Sequence, residues 1–137
     1  MEADSFRLLN GVKAMMDSGE EYSVSGSVTN RCYIACINGE LSSAQMGQLY
    51  DEIVRMAEKR ELRGVIMDLN GLAVLDSAAF CVLRKISGAL ALMGLKSAWM
   101  GIKPAIASSL VDFGADVDDL CICQNIEDGV RLIGSEK

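Results

Sequence analysis

From Arg31 onward, short apolar runs of strand length alternate with longer stretches of helical period, and few folds accommodate that alternation. The runs are Cys32-Tyr-Ile-Ala-Cys-Ile37, Val65-Ile-Met-Asp-Leu69, Ser97-Ala-Trp-Met100 and Leu120-Cys-Ile-Cys123. Each is nearly continuous rather than strictly alternating, as expected of strands in a sheet with both faces at least partly covered. Strands separated by helices imply a mostly parallel sheet in the α/β class. With 137 residues, half of them hydrophobic, the chain can bury one core, so a single domain is expected.

The segments between the runs carry helix punctuation. After a turn at Asn38-Gly39, Ser42 or Ser43 can cap a helix through Lys59, with Met46, Leu49, Ile53 and Met56 or Ala57 on one face. A second helix starts at Ser77, with Ala79, Val82, Leu83, Ile86, Leu90 and Met93 at helical spacing and Gly94 as its C′ residue. Pro104 suits the first turn of a third, which carries Ala107, Leu110 and Val111 or Phe113 and stops at Gly114. Asn125 can cap a last helix, Ile126 to about Ile133, with Val130 and Ile133 apolar.

The N-terminal part is different in kind. Residues 1–22 form an extension in which Phe6, Leu8, Leu9, Val12, Met15 and Met16 fit a short amphipathic helix ending near Gly19. It either packs on the domain of residues 23–137 or serves assembly. The Ser/Gly-rich run from Tyr22 to Asn30 suits an edge strand.

Composition removes several function classes. A net charge of −6 gives no basic stripe to neutralise phosphates, so neither nucleic acid nor anionic lipid is an expected partner. The start Met-Glu-Ala-Asp-Ser lacks the basic and apolar regions of a signal peptide, and no apolar stretch is long enough to span a bilayer. A cytoplasmic protein is expected. Five cysteines, Cys32, Cys36, Cys81, Cys121 and Cys123, include no Cys-x-x-Cys pair and are read as small buried apolar residues. The acidic group Asp116, Asp118 and Asp119 is read as a solvated loop, with no metal expected.

One junction remains for chemistry. Asp68 closes an apolar strand run, and Asp76-Ser77 stand where a helix begins, so all three belong to the rim where parallel α/β sheets engage ligands and partners. A nucleophilic serine needs a general base, and the chain has no histidine and no lysine adjacent to Ser77. No catalytic residue is therefore assigned, and there is no Walker or G-x-G-x-x-G loop for a nucleotide cofactor. Two readings of Ser77 stand: a plain N-cap whose hydroxyl accepts a backbone bond, or a phosphorylation site at a helix N-terminus.

From about Arg31 to Ile133 the chain resembles a STAS domain, the fold of bacterial anti-sigma factor antagonists. The resemblance rests on Val65-Ile-Met-Asp-Leu69, the Asp76-Ser77 pair and the apolar helix behind it. Met93-Gly94 and the segment Gly101-Ile-Lys-Pro-Ala-Ile-Ala107, before Leu110 and Gly114, are similar to the RsbS-like branch, a single-domain stressosome scaffold. The resemblance implies a mostly parallel sheet of four to five strands with about four helices, and a non-enzymatic regulator without a cofactor.

It further implies that Ser77 is phosphorylated by a partner serine kinase of the GHKL type, which is itself the captured switch protein or anti-sigma factor. A PP2C-type phosphatase reverses the step. Asp76, Ser77, Ala78 and Ala79 then meet the partner, Asp68 supports an acidic rim, and assembly with STAS paralogues is expected. Many antagonists read Asp-Ser-Ser-Gly where this chain has Asp76-Ser77-Ala78-Ala79, which favours the scaffold branch. The alternatives are a STAS subunit for lipid transport or nucleotide sensing, and a cysteine-dependent α/β enzyme using Cys32, Cys36, Cys121 or Cys123.

Overall fold

The computed structural model describes residues 22–39 and 43–134, so the amphipathic helix expected to end near Gly19 and the cap offered by Ser42 lie outside the described residues. Its five strands are β1 (Tyr22–Thr29), β2 (Cys32–Gly39), β3 (Gly64–Leu72), β4 (Lys96–Met100) and β5 (Ile122–Cys123). The four described helices are α1 (Ser43–Lys59), α2 (Ser77–Leu92), α3 (Pro104–Asp112) and α4 (Ile126–Gly134). The sheet order is β1-β2-β3-β4-β5. β1 and β2 are antiparallel, and every later neighbour is parallel. This is the expected mostly parallel α/β sheet, with the edge strand anticipated for the Ser/Gly-rich run.

The turn that joins β1 to β2 lies at Asn30-Arg31, at the end of the run expected to hold the edge strand. Asn30 and Arg31 adopt φ of 50° and 63°, the left-handed pair that a two-residue hairpin of right-twisted strands requires. Conversely, Asn38-Gly39 is not a turn: both residues still pair with β3, opposite Gly71 and Leu72.

Strand alternation divides the core into two layers. Tyr33, Ala35 and Ile37 of β2, Val65, Met67 and Leu69 of β3, and Trp99 of β4 face α1 and α2. Met46, Leu49, Ile53, Met56 and Ala57 of α1 meet them, as the helical spacing foretold. Cys32 and Ile34, Ile66, Ala98, Met100 and Cys123 point the other way, toward Ile133 of α4. Strands buried on both faces are the reason the apolar runs are continuous.

α2 buries Ala79, Phe80, Leu83, Ile86 and Leu90 and ends at Met93, with Gly94 at φ +84°. Met93 itself is 39 % exposed, so it closes the helix without joining the core. The third helix departs further from expectation. Ile106 and Leu110 are buried, whereas Ala107 is exposed and Val111 is 78 % exposed. α3 lies toward the β4–β5 end of the sheet, and β5 has only two residues to offer it. The buried face is thus the narrow one of Ile106 and Leu110, which joins the core layer that holds Phe80 and Trp99, not the full apolar arc.

Candidate functional site: the N-terminus of the second helix

The loop after β3 delivers Asp76 in an extended conformation, φ −92° and ψ 179°, the backbone of an N-cap. Its Oδ1 accepts the Ala79 amide at 2.9 Å and its carbonyl accepts the Phe80 amide at 2.9 Å. Asp76, not Ser77, therefore caps α2. Ser77 is the first helical residue, exposed, with Ala78 exposed beside it and Ala79 buried beneath. The plain-cap reading of Ser77 is overturned because an Asp one residue earlier already satisfies the bond. Among the described residues, the amides of Ser77 and Ala78 are left as the free donors of the first turn.

Asp68 lies inside β3, which runs on to Leu72 and does not stop at Leu69. The β2–β3 pairing jumps from Cys36 opposite Asp68 to Asn38 opposite Gly71, which makes a bulge at Leu69-Asn70. Asp68 holds that bulge. Its Oδ1 accepts the Asn70 amide at 3.0 Å and the Asn70 side chain at 2.9 Å, while Cys36 Sγ donates to Oδ2 at 3.7 Å. By strand alternation this carboxylate is on the Ile66 face of the sheet, opposite to the one α2 covers. Of the three acids and hydroxyls proposed for one cluster, Asp76 and Ser77 are neighbours and Asp68 is spent elsewhere.

Gly101 and Lys103, which the sequence offers only as part of the family resemblance, also belong to this rim. Lys103 Nζ donates to the Asn70 carbonyl at 2.9 Å, tying the start of α3 to the end of β3. Gly101, at φ +87°, lets that loop approach; a Cβ there would stand 2.6 Å from the Asn70 amide nitrogen. Val74, 53 % exposed in the loop before Asp76, supplies an apolar spot beside the serine. A Gly-x-Lys-Pro run after a short strand is the one local signal that could have flagged the Lys103 contact.

Behind the rim, α2 is braced. Phe80 packs edge-on against Trp99 at 5.6 Å and against Phe113 at 5.9 Å, with the Arg84 guanidinium 5.8 Å from its ring centre. Arg84 pairs both ways with Asp119 at 3.1 Å and donates to the Asp116 carbonyl at 2.9 Å. This hydrogen-bonded pair holds Asp119 below the ordinary carboxylate value and raises Arg84. The acidic loop is thus a staple onto α2.

The cysteines split. Cys32 and Cys123 are buried, Cys36 and Cys121 half-buried, and Cys81 is exposed on α2, contrary to the expectation that all five are interior. Burial raises the Cys32 thiol and pushes that of Cys123 up to about 11, aided by Asp128, Cys121 and Asp68. A thiol held protonated is the reverse of an activated nucleophile. No described helix is long and apolar enough to cross a membrane.

The family model of the STAS domain matches residues 24–129. The chain belongs to the STAS domain family. Its STAS domain is 27 % identical over 88 residues to the RsbT co-antagonist protein RsbRB of Bacillus subtilis, covering 64 % of this chain and 32 % of that protein. The chain thus spans about a third of the length of that curated relative. Among solved structures, a serine-to-glutamate variant of RsbS from Moorella thermoacetica superposes with a TM-score of 0.69 at 25 % identity, covering 80 % of this chain and 93 % of that one. A chain of the stressosome, described as a signal integration and transduction hub, gives 0.66 at 24 % identity, covering 79 % and 94 %. The STAS fold expected from the sequence is the fold observed.

Proposed function

We infer that this STAS domain is a partner-switching regulator that captures a protein at the N-terminal rim of α2 and releases it when Ser77 is phosphorylated. The captured partner is a GHKL-type serine kinase or an anti-sigma factor, and a PP2C-type phosphatase resets the switch. One observation carries the reading: Ser77 is exposed at the start of α2 and free of capping duty, because Asp76 performs it. A hydroxyl with no structural bond to lose can be modified without unfolding what it belongs to.

The electrostatics give the switch its direction. A phosphoryl group adds about −1.5 to −2 charges at pH 7 beside the Asp76 carboxylate. The free Ser77 and Ala78 amides and the helix dipole hold that charge within the domain. A partner closing over Val74, Asp76 and Ala78 meets repulsion and must strip water from the phosphate. A difference of roughly 3 kcal/mol weakens binding more than a hundredfold.

The names of the relatives support the same reading. RsbRB is called a co-antagonist of RsbT, and one similar structure comes from a hub built for signal integration. Assembly of this domain with STAS paralogues follows as part of the proposal. Incubation with the cognate kinase and ATP is expected to add one phosphate, lost in Ser77→Ala. Ser77→Asp is expected to bind the kinase about a hundredfold more weakly in a titration. Equal affinity of Ser77→Asp and the native chain would refute the mechanism.

A further inference from the structure

The sheet has two unlike edges. β5 contributes two residues, Ile122-Cys123, so the edge beyond β4 offers almost no ladder. β1 contributes eight, Tyr22–Thr29, which pair one to one with β2 and contain no bulge. On an edge strand the N–H and C=O groups of alternate residues point outward. Those of β1 meet no further strand among the described residues.

Long edges are usually blunted by charge, proline or a bulge, and β1 has none of the three. Its sequence, Tyr-Ser-Val-Ser-Gly-Ser-Val-Thr, is uncharged in a chain of net charge −6. An uncharged strip is where two acidic copies can approach with least repulsion. The Tyr33 ring fills the space that a Cβ on Gly26 would need, which braces the strand at its mid-point.

The strand also reads alike in both directions. Around Gly26, Ser25 mirrors Ser27, Val24 mirrors Val28, and Ser23 mirrors Thr29, another hydroxyl residue. Antiparallel pairing of a strand with its own copy about a two-fold axis sets each residue opposite its mirror position. Centred on Gly26, that register places valine opposite valine and hydroxyl residue opposite hydroxyl residue, combinations that suit a ladder. Centred on Ser25 or Ser27 instead, Gly26 falls opposite a valine. One register is thus favoured over its neighbours.

We propose that two copies of this chain pair β1 to β1 about a two-fold axis through Gly26, joining two five-stranded sheets into one. About six to eight backbone hydrogen bonds close the seam. The seam also covers part of Val28, 36 % exposed in the single chain. Opposite residues of an antiparallel pair share a face, so α1 and α2 of both copies lie on the same side of the joint sheet.

The seam leaves the switch free. Tyr22 pairs with Gly39, and Gly39 with Leu72, so β1 starts at the rim from which α2 departs. The second copy runs the opposite way, which puts its own Ser77 at the far end of the joint sheet. Both rims stay open, and the pairing depends neither on phosphorylation nor on a partner kinase.

Charge exchange across the seam tests both the contact and its register. Sedimentation equilibrium of the full native chain at about 100 µM is expected to give twice the 14.7 kDa chain mass, and Ser77→Ala the same. In the proposed register Ser25 lies opposite Ser27 of the second copy. The double variant Ser25→Lys/Ser27→Lys therefore sets lysine opposite lysine, and Ser25→Glu/Ser27→Glu sets glutamate opposite glutamate. Each alone should self-associate roughly tenfold or more weakly, with an unchanged circular dichroism spectrum. Mixed in equal amounts, the two should regain the dimer mass, because every lysine then meets a glutamate. A variant that had merely lost its fold would not be rescued by mixing. A monomeric native chain, dimers that persist in either double variant, or a mixture that stays monomeric would overturn the proposal.

Discussion

The Asp76-Ser77 pair divides two jobs that the sequence allowed to one residue. Both side chains can cap a helix, and the choice rests on which residue has the extended backbone, here Asp76 at ψ 179°. Asp76→Ala is therefore expected to cost about 1 kcal/mol in urea denaturation, whereas Ser77→Ala should lie within about 0.5 kcal/mol of the native chain. Cys123 supplies a pH dependence. The folded thiol keeps its proton to about 11, while the unfolded one releases it near the ordinary 9.0. Stability from this group is thus complete below pH 9 and is lost as pH rises toward 11. Alkaline unfolding curves should show the decline, and Cys123→Ala should flatten it. Under native conditions at pH 8, Cys81 is expected to be the first thiol to react with an aromatic disulfide reagent, because it is the exposed one.

Elements with strong periodicity were legible in the sequence. All five anticipated positions of α1 are buried, because a long helix over the middle of a sheet presents its whole apolar face to it. In α3 the structure departs from the periodicity at Ala107 and Val111, since a nine-residue helix near a two-residue strand has little sheet to cover. The hairpin at Asn30-Arg31 has no clear signature in the sequence because it lacks the glycine that usually marks such turns. Close approach is equally invisible locally. Gly129 of α4 lies so near the sheet that a Cβ would stand 2.8 Å from Ile66 Cδ1 and 3.0 Å from Cys123 Sγ. Gly129→Ala should destabilise the fold by about 1–3 kcal/mol despite the better helix propensity of alanine, as measured by thermal melting.

At the scale of the whole molecule, phosphorylation of Ser77 is expected to leave the fold intact while changing what the domain binds. Far-UV circular dichroism of the phosphorylated chain should match the unmodified one, and light scattering with STAS paralogues should report a mass well above the 14.7 kDa chain. The sequence by itself determined the fold class, the strand and helix order and the neighbourhood of Ser77. These follow from local periodicity and turn chemistry, which each segment carries alone. Only the tertiary structure decided that Asp68 faces away from α2, that Arg84 claims the acidic loop, and that Asp76 frees Ser77 from capping. Which face a strand residue takes, and which of two donors or acceptors is engaged, is set by segments distant in the chain and has no local signature.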